Sequence, residues 1–245
     1  MALADHIHGD DDFVPSKVLV IVAHPDDIDF GAAGTVATFT DHGVEVVYGL
    51  VTSGQAGEPS HLSPDELTAI RQAEQTRAAA AVGVTELHWL GFPDGRVVAD
   101  LGLRRELTRL IRQVRPDLVI TMSPVRNLDR LYASHPDHLA TGEAAINAVY
   151  PDARNGHSFA ELRAQGYEPH SVPRIWLMAG TDNNLHVDIT DAFDRKVDAL
   201  LAHESQHGDN GGEMAARIRE WGEGHAADAG LPGRVVEGFR AVHTG

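Results

Sequence analysis

At 245 residues the chain is long enough for one large α/β domain, and 42% apolar with 23% charged residues is an ordinary composition for a globular protein in water. A formal charge of −16 argues against nucleic acid and anionic membrane surfaces as partners, because no basic patch exists to neutralise phosphates. There is no Cys, which excludes disulfides and thiolate metal sites.

No apolar run approaches the roughly 20 residues of a membrane span. The first residues lack a basic stretch followed by an apolar one, so no secretory signal is expected and the cytoplasm is the expected compartment. Residues 1–16 carry few apolar side chains and an acidic run at Asp10-Asp11-Asp12, and they are expected to form a mobile tail before a single domain over 17–245. Residues 18–22 are apolar and mostly β-branched, as in a buried strand. A Gly-containing amphipathic segment over 31–41 follows, then a second strand over 44–51. Ser63 begins a helix well: it can cap the end, Pro64 fits the first turn, and Asp65 and Glu66 suit the positive end of the helix dipole. This helix stops at Gly83. Further strands are expected over 86–90, 117–122, 174–179 and 186–189. Helices are expected over 101–114, 141–150, 191–206 and, briefly, 215–222; the last residues carry no clear pattern. Strand–helix alternation through residue 150 predicts a Rossmann-like three-layer α/β fold with a mostly parallel central sheet.

Two short clusters carry chemistry. His24-Pro25-Asp26-Asp27 lies where the first strand runs into a loop, the place where ligands gather in open parallel sheets. His135-Pro136-Asp137-His138 lies more than 100 residues downstream, before a helix-like run. Each cluster alone could be a turn or a helix cap. Together they read as two halves of one metal site. His24 and Asp27, three apart in a turn stiffened by Pro25, can aim at one point, and His138 supplies a third ligand. A His₂Asp set resembles in type the three-ligand sites of hydrolytic zinc enzymes, with zinc as the expected metal and another divalent transition metal compatible. Asp26 can then take a proton from the attacking water, although spacing alone would let Asp26 and Asp27 exchange roles. His135 can steady an oxyanion or protonate a leaving group, and Asp137 can orient either His through a ring N–H.

These motifs resemble the PIG-L/LmbE-like zinc-dependent N-acetylglucosamine deacetylases over most of residues 17–206. The resemblance rests on the two boxes. Weaker marks are Gly31-Ala32-Ala33-Gly34-Thr35, Thr52-Ser53-Gly54, the helix bearing Arg71 and Glu74, Gly91-Phe92-Pro93-Asp94-Gly95, Arg115-Pro116-Asp117 and His203-Glu204-Ser205-Gln206. It implies zinc on His24, Asp27 and His138, Asp26 as general base, His135 assisting the transition state and leaving amine, and Arg71 and Asp94 as substrate contacts. One departure stands out: Ile28 occupies a position where the family commonly has Glu, with Asp29 next to it as a partial substitute. The expected reaction is hydrolysis of an N-acetyl group on an amino sugar or related conjugate, and the expected partner is a small molecule such as an N-acetylated glycoside. Self-association into a homo-oligomer is compatible with the sequence. Two alternatives remain at this stage: hydration of a small unsaturated acid on the same scaffold, and a metal- or sugar-binding module with a decayed site. Residues 151–173 and 208–212 are expected to form rim loops that set specificity.

Overall fold

The computed structural model describes residues 1–9, 13–207 and 211–245. Its centre is β2 (Lys17–Val22), whose side chains are buried from Val18 onward. Neighbours lie on both sides: β3 (Glu45–Leu50) and β5 (Leu118–Met122) pair with it in parallel, with Val20 opposite Tyr48 and Ile120. β4 (Glu86–Trp89) and β6 (Arg174–Met178) extend the parallel set outward. β1 (Ile7–Gly9), β7 (Leu185–Asp188) and β8 (Val236–His243) then add an antiparallel wing beyond β6. The eight strands run in the order β1-β7-β8-β6-β5-β2-β3-β4. This is the mostly parallel α/β sheet that strand–helix alternation predicts.

Alternate residues of the buried strands serve two cores, which is why they read as unbroken apolar runs. Val18, Val20 and Val22 face a layer built from α1 (Asp27–Gly31), α2 (Ala33–Asp41), α3 (Pro64–Ala81) and α7 (Phe193–Leu201). Leu19 and Ile21 face α4 (Leu101–Val114) and α5 (Pro136–Asn147). Leu103, Leu107, Leu110, Ile111 and Val114 make the buried stripe of α4 at helical spacing. The start of α3 is the capping box its sequence specifies: the Ser63 N–H donates to the Glu66 carboxylate (2.9 Å), and the Glu66 N–H donates back to Ser63 Oγ (3.3 Å).

Five expectations change. The N-terminal segment is not a free tail over residues 3–9, because Leu3–His6 forms a 3₁₀ turn with Leu3 in the core and β1 pairs with β7, covering an otherwise open sheet edge. The unassigned C-terminal residues form β8, between β6 and β7. The expected helix over 191–206 breaks at Ala202–His203 into α7 and α8 (Glu204–His207), and α9 (Gly211–Asp228) is longer than expected. The excursion over 151–173, expected as a rim loop, packs on α4 instead, where Arg104 pairs with Asp152 (2.9 Å), and none of its residues lines the main cavity. The other expected rim loop, 208–212, lies largely outside the described residues. Among the described residues, no helix is long and apolar enough to cross a membrane.

Candidate metal centre and active site

The sheet order reverses direction at β2: β3 and β4 lie to one side, β5 and β6 to the other. The crevice between the ends of β2 and β5 is the switch point where α/β proteins bind ligands. His24, Pro25 and Asp26 leave β2 there. Asp26 sits in the left-handed region (φ 78°), and the turn closes when the Asp29 and Phe30 N–H groups donate to its carbonyl at 2.8 and 3.0 Å. Asp tolerates this conformation better than most residues, yet a non-Gly residue held there costs about 1–3 kcal/mol and persists only where its surroundings enforce it. Two α3 side chains do so. Gln75 Oε1 accepts from the Asp26 N–H (2.8 Å), and Arg71 Nη2 donates to the Pro25 carbonyl (3.0 Å) and to Asp26 Oδ2 (3.1 Å). Gly54 allows this clasp: a Cβ there would stand 2.1 Å from Arg71 Nη1.

The second cluster arrives on α5. Pro136 opens the helix, and His135 caps it by accepting the Asp137 N–H on Nδ1 (3.3 Å). That bond requires Nδ1 to be unprotonated, so a neutral His135 carries its proton on Nε2. One turn in, His138 faces the first cluster. His24 Nδ1 lies 3.2 Å from His138 Nε2, His138 Nε2 lies 3.0 Å from Asp27 Oδ1, and His24 Nδ1 lies 3.4 Å from Asp27 Oδ2. Ligands bonded at zinc-like lengths on a tetrahedron would be about 3.3 Å apart, so the three groups already stand at coordination spacing.

Behind the triangle, His24 Nε2 lies 3.1 Å from Asp94 Oδ1 and 3.3 Å from Asp137 Oδ2. An Nε2–H shared between two carboxylates leaves the Nδ1 lone pair aimed at the triangle, which is how a metal-ligating imidazole is commonly oriented. The electrostatics agree. Burial works to lower the His24 pKa, but Asp27, Asp137 and Asp94 outweigh it and push it up to about 12. Burial works to raise the Asp27 pKa, yet the facing His138 and His24 rings hold it well below the usual carboxylate range. The site therefore favours a positive charge at its centre, the role a divalent cation fills. Two further groupings each bring three ligand atoms within 4.8 Å of one another: His24 with His135 and His138, and His24 with Asp94 and Asp137. Both carboxylates there also accept a backbone N–H: Gly95 donates to Asp137 (2.7 Å) and Ala56 to Asp94 (2.8 Å). The carboxylates of the Asp94–Asp137 grouping are thus already anchored to backbone.

All eight sequence-predicted residues meet in this crevice, with different surroundings. His135 is exposed at the mouth, its ring 5.1 Å from that of His24. Burial, then His24 and His138, keep its pKa below the ordinary value, so it is neutral near pH 7. Burial pushes Asp26 up to about 6, with Arg71 opposing. Asp137 is 1% exposed and also accepts from the Val97 N–H, so it orients His24 and ties down the 94–97 loop. Arg71 is 5% exposed and spends its guanidinium on Asp26 and the Pro25 and Gly54 carbonyls rather than on Glu74, three residues along α3. Glu74 instead accepts from the N–H and Oγ of Ser205 (2.7 Å each). Ile28 is core, and Asp29 supplies the buried carboxylate, accepting from Gln75 Nε2 (2.9 Å). Gln75 and the α9 residues Ile218 and Trp221 carry no sequence signal of a site; α9 walls a cavity of about 660 Å³ that opens from the His24–Asp27–His138 cluster.

A doubly wound α/β sheet with a two-histidine, one-carboxylate cluster in its switch-point crevice defines the class: an α/β protein with a candidate metal centre. The PIG-L family, described as GlcNAc-PI de-N-acetylase, matches residues 19–149. Diacetylchitobiose deacetylase of Thermococcus kodakarensis is 36% identical over 191 residues, covering 78% of this chain and 70% of that protein. A probable N-acetyl-alpha-D-glucosaminyl L-malate deacetylase 2 of Bacillus anthracis is 30% identical over 197 residues, covering 77% and 80%. The solved structure of N,N'-diacetylchitobiose deacetylase from Pyrococcus horikoshii, complexed with its inhibitor MPG, aligns with a TM-score of 0.86 at 33% identity, covering 94% of this chain and 84% of that one. The chain belongs to the PIG-L family.

Proposed function

We propose that this protein is a zinc-dependent N-deacetylase that hydrolyses the acetamido group of an amino sugar or a small conjugate of one, yielding the free amine and acetate. The observation that carries this reading is the triangle of His24 Nδ1, His138 Nε2 and the Asp27 carboxylate, with sides of 3.0 to 3.4 Å. Relatives named as deacetylases of N-acetylglucosamine-containing compounds support the reaction class. The cavity of about 660 Å³ falls within the roughly 300–1,000 Å³ of small-molecule sites.

These three side chains would hold a zinc ion, which would supply Lewis acidity toward the amide carbonyl and bring the pKa of water down to about 7. The protein's own groups divide the rest. Asp26, beside the triangle and outside it, takes the proton of the attacking water; a carboxylate near pKa 6 is ionised at pH 7 and still basic enough for that water. Neutral His135 offers Nε2–H to the oxyanion that develops on the former carbonyl. The proton held by Asp26 then passes to the departing nitrogen, so water has delivered hydroxide to the acyl carbon and a proton to the amine. Asp94 and Asp137 keep His24 in the ligating tautomer, and Arg71 holds Asp26 in place.

The test is an acetate-release screen over N-acetylated glycosides with added zinc, a chelator control and the Asp26→Ala variant. Release that is abolished by chelator, and reduced at least 100-fold in Asp26→Ala at full zinc content, is the expected result. Chelator-insensitive release, or a metal-replete protein that releases no acetate from any N-acetylated glycoside, would overturn the reading.

A further inference from the structure

Under the catalytic loop lies a buried polar chain with no place in the reaction above. His203, at the break between α7 and α8, donates through Nε2 to Asp29 Oδ2 (2.7 Å). Gln75 Nε2 donates to the same oxygen (2.9 Å), and Gln75 Oε1 accepts from the Asp26 N–H (2.8 Å). His203, Asp29 and Gln75 are each 0% exposed. The three residues come from distant parts of the chain, and burying such a set is costly; the bonds through Asp29 Oδ2 and Gln75 offset part of that cost, while Asp29 Oδ1 and His203 Nδ1 have no partner among the described residues.

The chemistry of each group dictates the direction of the next. An amide side chain can present either its oxygen or its NH₂ to a neighbour. An Asp29 carboxylate only accepts, so Gln75 must turn its NH₂ toward Asp29. Its oxygen then faces the Asp26 N–H, in the turn where Asp26 holds its left-handed conformation (φ 78°). His203 fixes Asp29 in turn, and it is itself latched where Ser205 on α8 bonds Glu74, the residue before Gln75. We propose that Gln75, aligned by the buried His203–Asp29 pair, is a positioning residue that aims the Asp26 carboxylate at the reacting water. Arg71 holds the carboxylate itself, whereas Gln75 holds the backbone that presents it. The proposal rests on Asp26 being the base. It gives the closing segment His203-Glu204-Ser205-Gln206 a catalytic consequence although His203 touches neither metal ligand nor substrate.

The test uses Gln75→Met, which keeps length and helix propensity and removes both hydrogen bonds. Zinc stoichiometry should stay at the wild-type value, because none of the three ligands is touched. The KM for the N-acetylated glycoside that the screen identifies should change less than twofold, while kcat falls about 10- to 100-fold, the range seen for outer-shell partners. A crystal structure of the variant should show Asp26 out of the positive-φ region. In an Asp26→Ala background, Gln75→Met should cost less than a further twofold, since it acts through the missing base. His203→Gln, which restores an N–H donor, should recover most of the kcat lost in His203→Leu. Wild-type kcat and an unmoved Asp26 in metal-replete Gln75→Met would overturn the proposal, as would a full extra loss on top of Asp26→Ala. Near-normal turnover by Asp26→Ala alone would instead sink the base assignment. Should the His203 variants fail to fold, the Gln75 and Asp26 set still decides.

Discussion

Replacing Arg71 with Met separates two roles for this side chain: substrate contact, as the family resemblance implies, and clasp on the base, as its surroundings indicate. Arg71 makes hydrogen bonds of 3.1 Å to the Gly54 carbonyl, 3.0 Å to the Pro25 carbonyl and 3.1 Å to Asp26 Oδ2. Methionine fills most of the stem volume but leaves the buried Pro25 carbonyl and the Asp26 carboxylate short of a donor, while the Gly54 carbonyl keeps the Gly57 N–H (3.2 Å). At about 1–3 kcal/mol for each of the two stranded groups, the loss in stability should be about 2–6 kcal/mol, a large part of the typical 5–15 kcal/mol. The variant should therefore fold with a lower urea midpoint. The pH profile adds a sharper test. Asp26 works as a base only when ionised, so kcat falls as pH drops through its pKa, which lies at about 6 in the metal-free site and lower beside a cation. Arg71 lowers that pKa, so removing it moves the acid limb of kcat to higher pH. Each unit of movement is about 1.4 kcal/mol, or tenfold in the ionised fraction on the acid side. The assay is kcat and KM from pH 5 to 8 on the zinc-loaded variant. A raised KM with an unshifted kcat profile and unchanged urea midpoint would make Arg71 a substrate contact and refute the clasp.

Three further perturbations probe the supports. Asp137→Asn removes a carboxylate from His24 Nε2 and weakens the acceptor for Gly95 and Val97; zinc affinity measured by competition with a chelator should fall about 10- to 100-fold. An affinity within twofold of wild type would show that Asp94 alone sets the His24 tautomer. Gly142→Ala places a Cβ 2.3 Å from the Met122 carbonyl oxygen, so α5 must move off the end of β5; about 1–3 kcal/mol of stability should be lost by urea denaturation, together with zinc affinity, because α5 carries His138. Unchanged zinc affinity in a destabilised variant would show that α5 shifts without disturbing the centre. Lys196→Met strands Glu237, which pairs with Lys196 at 2.5 Å and accepts the Gly34 and Thr35 N–H groups at the start of α2; urea denaturation should report a loss of about 3–5 kcal/mol, and a loss below 1 kcal/mol would contradict the buried pairing.

The parts of this molecule that sequence reveals are those where one local rule governs. Val18–Val22 reads as a strand because both faces are buried, and Ser63 to Glu66 reads as a helix start because its capping bonds are local. The two His-Pro-Asp boxes pair by ligand chemistry, whatever the fold between them. What stayed hidden depends on distant partners. β8 carries Glu237 in a buried position, which breaks the strand pattern and makes sense only once Lys196 and the start of α2 stand opposite it. β1 is a three-residue strand recognisable only from the edge it covers. His203 reads as part of a continuous helix, and its burial follows from Asp29 and from Glu74 gripping Ser205. Arg71 looks like a surface residue at helical spacing until the carbonyls of Pro25 and Gly54 come round to meet it.

Anomalous diffraction at the zinc edge, on crystals of the zinc-loaded protein, bears most directly on the central claim. One peak per chain is predicted, at bonding distance from His24 Nδ1, His138 Nε2 and the Asp27 carboxylate, with the Asp26 carboxylate outside the coordination shell. A peak on His24 Nε2 with Asp94 and Asp137, or no ordered peak in the crevice, would contradict it.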